Sequence, residues 1–196
     1  MTDNIRVIAS DFDGTILKDG AQHVDEVYFP LIRELKSMGI SFIAASGRQY
    51  ANLRRLLEPV ADEISYICEN GALIAQGSRI LYQNDIERRL AMPLIADMQA
   101  VVGTETVVSG ADSSYLVPVD PRFPVILREK VKNQVTVLKS FEEMQVPMIK
   151  ISIFWPEMCI RDRDNACCGA SAIIEILVEG IIYENTLGGG STAGTS

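Results

Sequence analysis

Arg6-Val7-Ile8-Ala9-Ser10-Asp11-Phe12-Asp13-Gly14-Thr15-Ile16-Leu17 is the stretch on which the fold turns. Ile5 and the mostly apolar residues 7–10 read as a buried strand of a parallel sheet, where strands carry near-continuous apolar runs. The strand ends in two carboxylates. Side chains alternate along a strand, so Asp11 and Asp13 point to one side and Phe12 to the other. Gly14 permits a sharp turn, and Thr15 offers a hydroxyl and an N–H just beyond it.

Two acids facing one point at the carboxyl end of a strand repel each other unless a cation lies between them. Mg²⁺ suits the position, because it takes hard oxygen ligands and leaves room for a phosphate. Asp11 is then placed to attack phosphorus and form an aspartyl-phosphate. Asp13 is placed to protonate the leaving oxygen and later to activate water. The plainer alternative is a strand followed by an Asp-Gly turn, with Asp13 making only a local backbone bond.

Asp11-Phe12-Asp13-Gly14-Thr15 resembles the first motif of the haloacid dehalogenase (HAD) superfamily of phosphotransferases. Further along, Ser41-Phe42-Ile43-Ala44-Ala45 reads as a second buried strand that runs into Ser46-Gly47-Arg48 and a helix over about 49–58. Strand and helix in alternation begin a doubly wound α/β sheet, in which ligands bind at the carboxyl ends of strands. Ser46 is thus expected on the same edge as Asp11 and Asp13. Its hydroxyl and the following N–H groups would hold a phosphate, helped by the helix dipole. A simple helix cap is the competing role for Ser46. Ser46-Gly47-Arg48 also resembles the superfamily's second motif, which makes Ser46, Gly47 and Arg48 phosphate- or substrate-binding candidates.

Residues 65–68 read as a third strand, and Asn70-Gly71 is a strong hairpin signal towards residues 73–75. Glu69-Asn70-Gly71-Ala72 resembles the Cof-like small-molecule phosphatases (subfamily IIB), in which the Asn lies near substrate. From about residue 84 the pattern changes to a helix over 86–102, interrupted by Pro93, followed by short strands at 106–108, 115–117, 135–137 and 148–154. That mixture is α+β. The resemblance implies a cap inserted after the second motif, since only 33 positions separate Asp13 from Ser46 and leave no room for one there. The expected fold is α/β: a HAD-type, doubly wound, Rossmann-like core, incomplete, with an inserted α+β cap domain. The expected divisions are a core at 1–83, a partial cap at 84–157, and a non-native or disordered tail at 158–196.

Two family elements are not found after the apparent cap: a charge-neutralising lysine and an acidic Gly-Asp-x-x-Asn-Asp motif. Lys150 is the last lysine and lies within the cap. Asp162 and Asp164 are followed four positions on by Ala166 and Cys168, so neither opens the acidic motif. Met158-Cys159-Ile160-Arg161-Asp162-Arg163 looks like a translated sequencing-adapter end, at the place where the resemblance stops.

Composition narrows the function further. The 196 residues are 47% hydrophobic and 22% charged, as in ordinary globular proteins. A net charge of −8 argues against nucleic acid or an anionic membrane as partner. No apolar run reaches the ~20 residues of a membrane span and no signal-peptide pattern is present, so a cytoplasmic location is expected. The single histidine, His23, excludes histidine triads and multi-histidine metal sites. Cys68 reads as a buried small hydrophobe, and Cys167-Cys168 lacks zinc-ligand spacing.

The resemblance implies a Mg²⁺-dependent phosphatase of small phosphorylated metabolites such as sugar phosphates. Asp11 and Asp13 would be catalytic and metal-binding, with Thr15, Ser46, Gly47, Arg48 and Asn70 around the phosphate and substrate. A phosphomutase would share the intermediate but return the phosphoryl group to substrate. A relic that binds phosphate without chemistry is the non-enzyme alternative. With the lysine and acidic motif missing, this chain is expected to turn over little.

Overall fold

A computed structural model describes residues 5–18 and 21–155, together with the backbone of two strands, Ile173–Leu177 and Gly180–Glu184. The adapter-like residues 158–163 and the Cys167-Cys168 pair lie outside the described residues, as do Asp19 and Gly20.

The chain alternates strand and helix at first: β1 (Val7–Asp11), α1 (Tyr28–Ser37), β2 (Ser41–Ala45), α2 (Tyr50–Leu56) and β3 (Ser65–Cys68). β1, β2 and β3 are parallel neighbours in that order. β4 (Leu73–Gln76) and β5 (Arg79–Gln83) then add antiparallel strands to complete a five-stranded sheet. α1 is capped by Met38, followed by Gly39 at φ +77, the left-handed position that glycine occupies without a Cβ penalty. Ile32 of α1 and Leu53 and Leu56 of α2 pack on Phe42, Ala44, Tyr66 and Cys68, which project alternately from β2 and β3. The intervening residues Ile43, Ala45 and Ile67 are only half-buried.

β1 departs from the sequence expectation. It pairs with β2 alone among the described residues, so it is an edge strand. Its alternation runs exposed to half-buried, and Ile5 and Val7 remain 59% and 53% exposed. Apolar content suits a strand flanked on both sides, but burial depends on the number of neighbours.

α3 (Arg88–Gln99) is continuous through Pro93. Pro93 is exposed, and so is Arg89, the residue whose carbonyl loses its intrahelical donor. The second sheet has the order β11-β10-β9-β6-β7-β8, where β6 is Glu105–Ser109, β7 Ser114–Leu116, β8 Val135–Val137 and β9 Lys150–Phe154. β10 (Ile173–Leu177) and β11 (Gly180–Glu184) extend it beyond β9. Both faces of β6 are covered. Val108 joins Ala91, Ile95 and Met98 of α3, whereas Val107 joins Phe123 and Leu127 on the other side.

The two sheets touch through polar and apolar groups alike. Ile149 is fully buried in the core of the first sheet. Gln49 donates to the Gln134 carbonyl (3.3 Å) and accepts from the Gln134 N–H (2.8 Å), while Asn52 donates to the Val131 carbonyl (2.6 Å).

Candidate active site

Parallel pairing of β1 with β2 sets Asp11 beside Ala45, so whatever follows each strand emerges at the same end of the sheet. After β1 the chain turns at once. Gly14 takes φ +81, its N–H donates to the Leu17 carbonyl (2.8 Å), and the Leu17 N–H returns to the Phe12 carbonyl (2.8 Å). A Cβ at position 14 would meet nothing within 4 Å, so backbone conformation, not space, calls for glycine. Phe12 is fully buried and anchors the turn, while Asp11 and Asp13 are exposed opposite it.

The Ser46 hydroxyl donates to Asp13 Oδ2 (3.0 Å) and accepts from the Arg48 N–H (3.1 Å). Arg48 Nε lies 2.9 and 3.0 Å from the two Asp13 oxygens, and Nη2 lies 2.7 Å from Oδ1. The Ser46 N–H is held by the Ile67 carbonyl (2.9 Å), which ties the loop to β3. Asp13 therefore makes more than a local turn contact: groups 33 and 35 positions away converge on it.

Ser46 does not cap a helix. α2 begins at Tyr50 after Gln49, and with 7 residues it is shorter than the sequence suggested, so the expected dipole contribution has little helix behind it. Gln49 stands at the N-cap position but makes no side-chain cap bond, and instead sends its side chain to Gln134, beside β8 of the second sheet.

Asn70 is brought against the same loop. A Cβ on Gly47 would sit 2.3 Å from Asn70 Oδ1, so glycine permits this approach. Glu69, Asn70 and Gly71 take φ of +51, +56 and +95 in succession, a left-handed run that closes the β3–β4 hairpin. Thr15 stands exposed on the first turn, without a side-chain bond to the other site residues among those described.

The side chain of Asp11 makes no hydrogen bond or ion pair among the described residues. One unpartnered and one clasped carboxylate at a strand end form a donor set that fits Mg²⁺. That ion takes one or two carboxylates and completes its shell with water and phosphate oxygens. No cluster of three or more His, Cys, Asp or Glu suited to a metal occurs among the described residues.

Sequence reasoning missed the group that backs this loop. Lys150 Nζ bonds the Gly47 carbonyl (3.0 Å) and pairs with Glu69 Oε2 (2.5 Å), with both side chains almost fully buried. The signal was a lysine inside the apolar strand Ile149-Lys150-Ile151-Ser152-Ile153, since a buried lysine demands a partner. His23 is exposed. Burial pushes the Cys68 thiol up to about 12, which removes it as a nucleophile near neutral pH. No helix among the described residues is long and apolar enough to cross a membrane.

The profile of the haloacid dehalogenase-like hydrolases matches residues 8–163, and so runs through the segment that resembles an adapter. The 5-amino-6-(5-phospho-D-ribitylamino)uracil phosphatase YbjI of Escherichia coli (strain K12) is 27% identical over 57% of this chain and 41% of its own length. SMU.1108c from Streptococcus mutans UA159 superposes with a TM-score of 0.70 at 21% identity, covering 91% of this chain and 72% of that one. The HAD subclass IIB sugar phosphatase BT4131 gives a TM-score of 0.57 at 20% identity, covering 76% and 58%. At these identities the structural likeness is one of fold. The chain thus spans about two fifths of this curated relative.

Proposed function

The chain belongs to the family of haloacid dehalogenase-like hydrolases, and from that premise we propose a Mg²⁺-dependent phosphomonoester site for small phosphorylated metabolites. One observation carries this reading. Asp13 is clasped by Ser46 and Arg48, while Asp11, two residues earlier on the same strand end, is exposed and has no side-chain partner among the described residues. In this reading residues 1–83 carry the chemistry and residues 84–157 form a cap. The names of two relatives, a phosphoribitylaminouracil phosphatase and a sugar phosphatase, support a small polyol or sugar phosphate as substrate.

Asp11 attacks phosphorus in line, forming the Oδ–P bond as the ester P–O bond breaks. Asp13 delivers its proton to the departing alkoxide. It then takes a proton from the water that attacks phosphorus and releases Asp11. The Ser46 hydroxyl and the Arg48 guanidinium, now on Asp13, are the donors for which an incoming phosphate competes. Asn70, against Gly47 of the same loop, would contact the substrate. Asp11 and Asp13 would hold Mg²⁺, which would supply charge neutralisation for the transferring phosphoryl group.

A second reading, phosphate binding with little turnover, follows from the sequence, in which no lysine comes after Lys150 and no Gly-Asp-x-x-Asn-Asp segment is found. Calorimetric titration with inorganic phosphate, with and without Mg²⁺, is the deciding experiment, alongside phosphate release from p-nitrophenyl phosphate. Mg²⁺-supported binding that is lost in Asp11→Asn is the expected result; no binding at all overturns both readings. Turnover abolished by Asp11→Asn selects the phosphatase, and binding without turnover selects the relic. A phosphomutase would return the phosphoryl group to substrate without free phosphate appearing.

A further inference from the structure

We propose that Lys150 is a positioning residue that fixes the Ser46-Gly47-Arg48 loop from the second sheet. The proposal rests on the reading of that loop as a phosphate site, and it adds a residue from outside the three loops already described.

Lys150 opens β9, next to β6, where it is the register partner of Ser109. Both residues reach Glu69: Lys150 Nζ lies 2.5 Å and Ser109 Oγ 3.4 Å from Glu69 Oε2. Exposure of the Lys150 and Glu69 side chains is 8% and 3%, so each charge depends on the other. Glu69 is one of the left-handed residues of the hairpin, at φ +51, a conformation that a non-glycine residue keeps only when its surroundings enforce it.

Lys150 also donates to the Gly47 carbonyl. The Gly47–Arg48 peptide is planar, so fixing its carbonyl fixes its N–H. That N–H donates to Ser46 Oγ, and the Ser46 hydroxyl then donates to Asp13. Three consecutive bonds thus lead from a lysine of the second sheet to the acid–base candidate at the end of β1. A further bond, from the Glu69 N–H to the Arg48 carbonyl (3.2 Å), closes the loop onto the hairpin that Lys150 also holds. An apolar pair would fill the same volume but would leave the Gly47 carbonyl without this donor.

The test compares the full chain with the double variant Lys150→Met/Glu69→Gln, which removes both charges together and leaves neither buried alone. Two quantities are read: hydrogen exchange at the Arg48 amide, and affinity for inorganic phosphate in the presence of Mg²⁺. Loss of one charge-assisted bond predicts exchange faster by about tenfold and a phosphate Kd higher by about tenfold, with exchange in β7 unchanged. Unchanged Arg48 exchange in a folded variant overturns the proposal, and so does faster exchange with unaltered phosphate affinity. Should the double variant not fold, the wild-type chain still decides. A scalar coupling across the hydrogen bond from Lys150 Nζ to the Gly47 carbonyl carbon supports the proposal, and its absence overturns it. A wild-type chain that binds no phosphate refutes the functional reading, while the exchange measurement still judges the link from Lys150 to the loop.

Discussion

The guanidinium of Arg48 meets the carboxylate of Asp13 as a fork, with Nε shared between both oxygens and Nη2 on one of them. The side chains are 25% and 49% exposed, so solvent screens the pair and its share in stability is small. Its consequence is geometric. A lysine at position 48 would keep the charge but lose the planar fork. Arg48→Lys is expected to weaken Mg²⁺-supported phosphate binding by about tenfold, with stability changed by less than ~1 kcal/mol. Titration calorimetry and urea unfolding on the same sample check both halves. An unchanged Kd would mean that the fork serves only the resting site.

Gly47→Ala sets a second expectation. The new Cβ would lie 2.3 Å from Asn70 Oδ1, and position 47 itself has no left-handed φ that would strain an alanine. The cost therefore comes from displacing Asn70, at roughly 1–3 kcal/mol for an overpacked contact. Removing the obstacle should restore the fit. Gly47→Ala with Asn70→Gly is expected to be more stable than the sum of the single variants by at least ~1 kcal/mol. Additivity in urea unfolding would show that Gly47 does not owe its place to Asn70.

What was legible in the sequence was local. Alternation placed Asp11 and Asp13 together with Phe12 opposite, and the Asn-Gly pair marked the β3–β4 hairpin. The meeting of Asp13 with Ser46 followed from parallel strands joined through a helix, which the alternation of strand-like and helix-like stretches signals. Contacts across the two sheets were not legible, because 103 positions separate Lys150 from Gly47 and 85 separate Gln49 from Gln134. The exposure of β1 was hidden for a related reason: Val7 is as apolar as any central-strand residue, and only its neighbours decide its burial.

Acid should weaken the tie between α1 and the segment before β3. Glu63 is held below its ordinary value of 4.5, first by the hydrogen bond from Arg33 and then by that from Lys36. A carboxylate with a lowered folded pKa binds fewer protons folded than unfolded. Its stabilising effect is thus present above pH 4.5 and is lost as pH falls through the lower folded value. Thermal unfolding followed between about pH 6 and pH 3 should show a shallower acid decline in Glu63→Gln than in the wild type. Parallel declines would leave the Arg33–Glu63 pair without a role in acid stability.

β1 is an exposed edge that carries apolar side chains outward, with Ile5 and Val7 more than half exposed and β2 as its partner among the described residues. Unpaired strand edges of this kind recruit other strands, and lysine is a common natural guard against it. Val7→Lys places a charge on that edge without vacating a packed position. The variant should aggregate several-fold more slowly on incubation near its unfolding midpoint, read by light scattering. Its unfolding free energy should stay within about 0.5 kcal/mol of the wild type, as for an exposed substitution. A large loss of stability would mean that Val7 is packed in solution, and unchanged scattering would move the sticky surface elsewhere. β5 would then be the next candidate, because Ile80, Leu81 and Tyr82 are 44–50% exposed on the opposite edge of the same sheet.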